Sequence, residues 1–325
     1  MLNVLNLIGA PDSSHATVVW NNGNPRDLKV IFEGTNTLAM LMKPEKMAVT
    51  TATFGGRRPQ QITLPPADVV VNSVCDPDTN TNALLQIGET LKHCSAPVIN
   101  PPELTFATTR DRIYTLLKDT PGLMMPKTVR ITPHRLSEVP ELISENGLDY
   151  PYIFRSAGEH GGGGMVLVER EADLPKLERF AFDGRDFYAI AFYDFRDADG
   201  LYRKYRLVVI DGKLYPRHLI ASTSWNIHAE SRKELMEKDE TLQNAEKAFH
   251  EHPPAFLKDY AERIYEKLPL DFFGIDCHIT PQNELFIFEL NTCMRVIADK
   301  PTGYHIPPTE RIKSAFSDLL AAKAR

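Results

Sequence analysis

Cysteine is scarce in this chain of 325 residues, with four in all: Cys75, Cys94, Cys277 and Cys293. No two of them stand at a metal-site spacing. A chain this long and this poor in cysteine does not rest on a disulfide framework, so the thiols are expected reduced, in a cytoplasm. Long apolar runs are also missing. Leu207-Val208-Val209-Ile210 is typical of the longest, against the roughly 20 residues a membrane-spanning helix needs. The first ten residues lack the charged start and apolar stretch of a secretory signal. Basic residues are not in excess: Lys+Arg total 37 against Asp+Glu 43, a net charge of -6. That balance excludes the electrostatic footprint of a nucleic-acid binder. No internal repeat is present, and no low-complexity tract apart from one glycine cluster.

What is there is the composition of a globular protein, 42% hydrophobic and 25% charged, long enough for about two domains or one domain with subdomains. Apolar runs at Val4 to Ile8, Val30 to Phe32 and Val69 to Val71 predict buried strands. Ala83 to His93 predicts a helix, and Pro97 to Asn100 another short strand. Alternating strands and helices predict a parallel α/β layer. A helix is expected from Thr109 as N-cap, with Ile113, Leu116 and Leu117 on one face, stopped by Pro121-Gly122. Strands are expected over Met124 to Ile131, Tyr150 to Arg155, Met165 to Glu169, Tyr188 to Tyr193 and Tyr205 to Ile210. Asp211-Gly212 then turns the chain into Leu214 to Ile220. The polar stretch Ala229 to His252 is expected to be partly helical. Leu257, Tyr260, Ile264 and Leu268 form one helical face. Two strands, Phe272 to Ile279 and Leu285 to Leu290, precede a final helix carrying Ile312, Phe316, Leu319 and Leu320.

Three constellations carry chemistry. In the first, a turn centred on Gln282 and Asn283 pairs Thr280 with Leu285, and the same register sets Asp276 opposite Glu289. Opposed Cβ atoms lie about 5 Å apart, and two carboxylates that close repel unless a cation separates them. Asn291, two residues on, shares the face. Such hard oxygens suit Mg²⁺. A solvated hairpin face would also hold acidic residues, but these interrupt very apolar strands. The second constellation is Ile153-Phe154-Arg155, then Gly158 and Gly161-Gly162-Gly163-Gly164. Glycine loops let backbone N–H groups approach phosphates, and Arg155 could fork onto a phosphate oxygen. The third gathers Arg203, Lys204 and Arg206 with Arg217 and His218 on the partner strand, suited to anions. Ser222 to His228 reads as a substrate-contacting loop, since no G-x-S-x-G elbow supports a hydrolase. Cys277 alternates away from Asp276 into the core.

The order of these pieces resembles the ATP-grasp enzymes, in particular bacterial glutathione synthetase and RimK-type ligases. The resemblance spans about Asn100 to Ile297. It runs through Asp111-Arg112-Ile113-Tyr114, Met125-Pro126-Lys127-Thr128, Ile153-Phe154-Arg155, Gly161 to Gly164, Arg206 to Gly212, Gly274-Ile275-Asp276 and Glu289-Leu290-Asn291. The ending Asn291-Thr292-Cys293-Met294-Arg295 is similar too. It implies an ATP-grasp fold in three parts: a parallel-sheet pre-ATP-grasp domain over 1–110, a small α+β lid with the glycine loop over 111–190, and a large subdomain with the metals over 191–325. ATP would lie between the last two. Asp276, Glu289 and Asn291 would hold Mg²⁺ or Mn²⁺. Arg206 would touch the γ-phosphate or an acyl phosphate. Arg112, Arg155 and the glycines would hold phosphates, and Tyr193, Asp194 and Phe195 would read adenine. Two departures stand out. Arg112 and Arg155 replace the usual lysines, and Ala229 to His252 is charged and glycine-free where the family has a glycine-rich substrate loop.

The implied activity is an ATP-dependent carboxylate–amine or carboxylate–thiol ligase using an acyl phosphate, with a small-molecule or peptide acid and an amine as partners. No nucleic acid and no membrane are expected, and a homo-oligomer is compatible with the reading. An ATP-grasp small-molecule kinase and a nucleotide-binding regulatory module are the alternatives.

Overall fold

The computed structural model describes residues 1–20, 28–36, 38–43, 45–56, 62–227, 229–292, 294–296 and 303–324. His228 and Cys293, part of the motifs above, lie outside the described residues.

The first sheet is wholly parallel. It is built from β1 (Leu2–Ala10), β4 (Met47–Gly55), β5 (Val69–Asn72) and β6 (Val98–Ile99), in the order β4-β1-β5-β6. Between β1 and β4 the chain makes a separate hairpin, β2 (Thr17–Trp20) with β3 (Leu28–Ile31). Helix α1 (Thr81–Leu91) covers one face of the first sheet through Ala83, Leu84 and Ile87. Buried Val69 to Val71 fit a strand enclosed on both faces. Short α2 (Pro102–Phe106) leads into α3 (Arg110–Leu117), where Ile113 and Leu117 are buried. Thr109 sits at the N-cap with extended backbone, but its side chain makes no capping hydrogen bond.

The expected strand from Met124 to Ile131 is two strands. β7 (Leu123–Met124) joins the third sheet beside β15 (Leu285–Asn291), and β8 (Thr128–Ile131) joins the second. Pro126 lies between them. It has no N–H to give a ladder and restricts the residue before it. After α4 (Val139–Glu145) come β9 (Tyr152–Ser156), β10 (Val166–Val168) and β11 (Phe187–Ala191), which complete a second sheet ordered β10-β9-β11-β8. Alternation puts Tyr152, Phe154 and Phe187 in its core, with Phe154 and Phe187 stacked at 5.0 Å. Ile153, Arg155 and Ile190 take the opposite side.

The third sheet adds β12 (Tyr202–Ile210), β13 (Lys213–Ser222) and β14 (Phe272–Ile279), in the order β13-β12-β14-β15-β7. Its inner face packs on α3 and α7 (Phe256–Lys267). The charged stretch before α7 forms α5 (Ala229–Glu234) and α6 (Glu240–Glu251), with Asp239 capping α6 through Thr241 and Leu242 N–H groups. The last helix, α8 (Ile306–Lys323), sets Ile312, Phe316, Leu319 and Leu320 against side chains of the first and third sheets.

Candidate active site

The β14–β15 hairpin decides the site. Its tip pairs Ile279 with Leu285 rather than Thr280 with Leu285, a shift of one residue from the expected register. A bulge at Phe288 then restores the frame, so Asp276 does face Glu289. The extra residue changes which side chains share a face. Leu285, Ile287 and Leu290 enter the core with Ile275 and Cys277, while Phe286, Phe288 and Glu289 turn to the other side. A regular hairpin would have put Ile287 beside Glu289 and sent Phe286 and Phe288 inward. A second irregularity, on β13 opposite Arg206 and Leu207, leaves His218 across from Arg206.

Facing this hairpin across a cavity of about 310 Å³ are β9, β11 and the glycine loop between β9 and β10. The character of the cavity changes along β15. Phe286 and Phe288 come first, with Phe195 against them at 5.7 and 4.7 Å. Ile153, Met165 and Trp225 complete this apolar part. Glu289 follows, and with it Asp276, Lys204, Arg206, Arg110 and Arg155.

The repulsion expected between Asp276 and Glu289 is met by protein cations. Arg206 forks onto Asp276 with two contacts of 2.7 Å, and Lys204 Nζ lies 3.3 Å away. Burial alone would raise the Asp276 pKa; the Arg206 and Lys204 charges overcome it and hold the carboxyl below its ordinary value. Glu289 accepts from Arg110 and, at 2.6 Å, from Asn291 Nδ2, with His160 Nδ1 at 3.6 Å. Burial again acts upward, and Arg110 and His160 hold Glu289 well below the carboxylate range. Arg155 is 4% exposed, and burial followed by the Arg110 charge pushes it down to about 10. Its Nε is buried without a hydrogen-bond partner, as is Nε2 of His218. The orphaned Arg155 donor fits an anionic ligand.

Of the residues singled out by sequence, Arg155, Gly161, Gly162, Tyr193, Phe195, Arg206, Asp276 and Glu289 line this cavity. Asn291 lies next to it, in a small pocket behind Glu289. Gly163 and Gly164 do not line the cavity. Asp194 forms an exposed ion pair with Arg196. Arg112 is exposed and donates to the Phe106 carbonyl at 2.7 Å. Arg110, two residues earlier, is the one that reaches Glu289. Positions two apart on a helix point about 200° from each other, so an alignment slip of two residues exchanges a buried contact for solvent. Gly161 adopts φ +90°, a conformation that favours glycine, and a Cβ there would meet open space. Across the cavity, Asn226 Nδ2 donates to the Gly162 carbonyl at 2.9 Å. Trp225 belongs to the loop expected to contact substrate, whereas His160 and the two phenylalanines were not singled out. Only strand alternation with the correct bulge would have found the last pair.

No protein-family model matches the sequence, and no curated protein matches it. Solved structures do. The D-alanyl-alanine synthetase A of Vibrio cholerae aligns over 99% of this chain and 98% of its own, with a TM-score of 0.56 and 14% identity. A RimK domain ATP-grasp protein of Sphaerobacter thermophilus covers 97% and 99%, at a TM-score of 0.55 and 13% identity. The chain has the ATP-grasp fold. The D-alanine–D-alanine ligase of Bacillus anthracis matches to the same degree, at a TM-score of 0.55 and 11% identity over 100% of this chain. In this ATP-grasp chain the cavity lies between the second and third sheets. Among the described residues, no helix is long and apolar enough to cross a membrane.

Proposed function

We propose that the protein is an ATP- and Mg²⁺-dependent ligase that activates a carboxylate as an acyl phosphate and joins it to an amine. The observation that carries this reading is the graded cavity. An aromatic slot fit for a purine leads directly to two opposed carboxylates and a set of buried cations, one of them with an orphaned donor. Adenine would lie against Phe195, Phe286 and Phe288, and the phosphates toward Arg155, Lys204 and Arg206. Asp276, Glu289 and Asn291 offer the hard oxygens that magnesium takes. The ion, when bound, neutralises phosphate charge. The segments 1–110, 111–190 and 191–325 would act as substrate platform, lid and metal-bearing body.

The side chains then do little covalent chemistry. Arg206 and Arg155 stabilise charge on the transferring phosphoryl group, and the cleft orients the carboxylate for attack on it. Gly161 and Gly162, tied to the far wall through Asn226, close the cavity to water that would hydrolyse an acyl phosphate.

The test is ADP release with Mg²⁺-ATP across pairs of acids and amines. The expected result is ADP and inorganic phosphate in equal amounts, only when both an acid and an amine are present, together with the amide product. A stable phosphorylated acceptor with no free phosphate would make the protein a kinase instead.

A further inference from the structure

A second cavity, a groove of about 1080 Å³, opens between the first and second sheets. It reaches the proposed reaction centre. Gly158, Glu159 and His160 line both the groove and the small pocket that holds Glu289 and Asn291. Thr109 lines that connecting pocket, is 6% exposed, and its hydroxyl oxygen is buried without a hydrogen-bond partner. An acceptor on its way to an activated carboxyl would occupy this groove, so its walls select the acceptor.

Six carboxylates stand along the groove: Asp12, Glu33, Asp78, Glu159, Asp183 and Asp186. Two arginines accompany them, and both are already paired with carboxylates. Arg130 contacts Asp186 at 2.8 Å, Asp78 at 2.7 Å and Asp111 at 3.2 Å. Arg185 forks onto Asp183 at 2.8 and 2.6 Å. His160 is turned to Asp76, at 2.9 Å. The groove therefore keeps an excess of four negative charges among the described residues, and none of these cations is left for a ligand. Asp12 and Glu33 at its mouth and Glu159 at its inner end have no ion-pair partner among the described residues. Asp12 is partly desolvated, which raises its pKa, so a nearby ammonium would be welcome there. An ordinary α-amino acid brings a carboxylate beside its amine, and that group would meet a net negative charge, with both arginines already paired. A free α-carboxylate is commonly held by arginine or lysine.

We propose that the groove binds a linear polyamine-type cation, with a primary amine at the inner end, a second ammonium at the mouth and no carboxylate beside either. The assignment rests on the ligase reading, and it names the acceptor class for it. The terminal ammonium led past Glu159 and His160 toward Glu289 gives up one proton to solvent to become the nucleophile; as its C–N bond forms, the acyl C–O bond to phosphate breaks, and the second proton leaves with the phosphate.

Calorimetric titration of the full-length protein with a linear triamine, L-lysinamide and L-lysine tests the assignment, beside the melting temperature with and without Mg²⁺-ATP. The triamine is expected to bind at least about tenfold more tightly than L-lysine, more weakly as salt rises, with L-lysinamide also ahead of L-lysine. The double variant Asp12→Asn/Glu33→Gln keeps the hydrogen-bonding shape of two carboxylates that bear no ion pair. It should lose about tenfold in triamine affinity and keep its melting temperature and its nucleotide response. L-Lysine binding more tightly than the triamine would overturn the assignment, as would equal triamine affinity in the variant. So would no triamine binding by a protein that responds to Mg²⁺-ATP, a result that leaves the ligase reading intact. Triamine binding weakened by the variant, in a protein that ignores nucleotides, would keep the groove assignment and sink the ligase reading.

Discussion

Arg155, Arg217 and His218 are uncomfortable residues in an otherwise well-paired protein. Burial and neighbouring arginines lower both guanidiniums to about 10 and hold His218 well below its ordinary value. Further along, beneath β13, burial lowers His250, and burial outweighs the pull of Glu246 to bring His305 down to about 4. These imidazoles are neutral in the folded chain and protonate near 6.5 once unfolded. As pH falls through that window the unfolded state binds more protons, so stability is fully present above pH 6.5 and declines toward pH 4. The lowered carboxyls of Asp276 and Glu289 act in a lower window, contributing above the ordinary carboxylate range and losing that contribution below it. Melting temperature should therefore fall steadily from pH 7 to pH 4.5, and His305→Gln should make the decline shallower. A flat profile over that range would contradict the neutral-histidine assignment.

Arg130 connects elements rather than residues. From β8 it reaches Asp78 after β5, Asp111 on α3 and Asp186 beside β11, while Tyr188 on β11 donates to Asp78 at 2.6 Å. Removing it leaves three carboxylates facing one another. Arg130→Met should cost about 2 kcal/mol in urea unfolding, below the 3–5 kcal/mol of a fully buried pair because the side chain keeps some exposure. Lys92→Ala, which breaks only an exposed pair with Glu89, should stay within about 0.5 kcal/mol. Elements were readable from sequence where periodicity was strong, as in β1, α7 and β14. Val30 and Ile31, expected buried, are exposed on a separate hairpin, and two further misreadings came where a single residue reset the pattern. Pro126 split one expected strand into two sheets. The bulge at Phe288 exchanged the faces of Phe286, Ile287 and Phe288, although Asp276 and Glu289 still met, because one slip at the turn cancelled the other. Bulges leave no periodic signal in a single sequence.

At the scale of the molecule, a parallel, an antiparallel and a mixed sheet enclose two connected spaces, a small graded cavity and a larger acidic groove. The parallel sheet followed from the alternating strand and helix pattern, and the ordered motifs pointed to the ATP-grasp fold that the solved structures share. The groove could not be read in advance. Its carboxylates come from segments as far apart as Asp12 and Asp186, which only the tertiary fold brings together. The most direct measurement on the central claim is the melting temperature with Mg²⁺-ATP, with Mg²⁺-GTP, and with ATP plus EDTA, on the native chain and on Glu289→Gln. Nucleotide at about 100 times its dissociation constant stabilises by about 2.7 kcal/mol, so a clear rise with Mg²⁺-ATP is expected, lost with EDTA and lost in Glu289→Gln. No rise with any nucleotide would contradict the account and leave an ATP-grasp fold that does not use ATP.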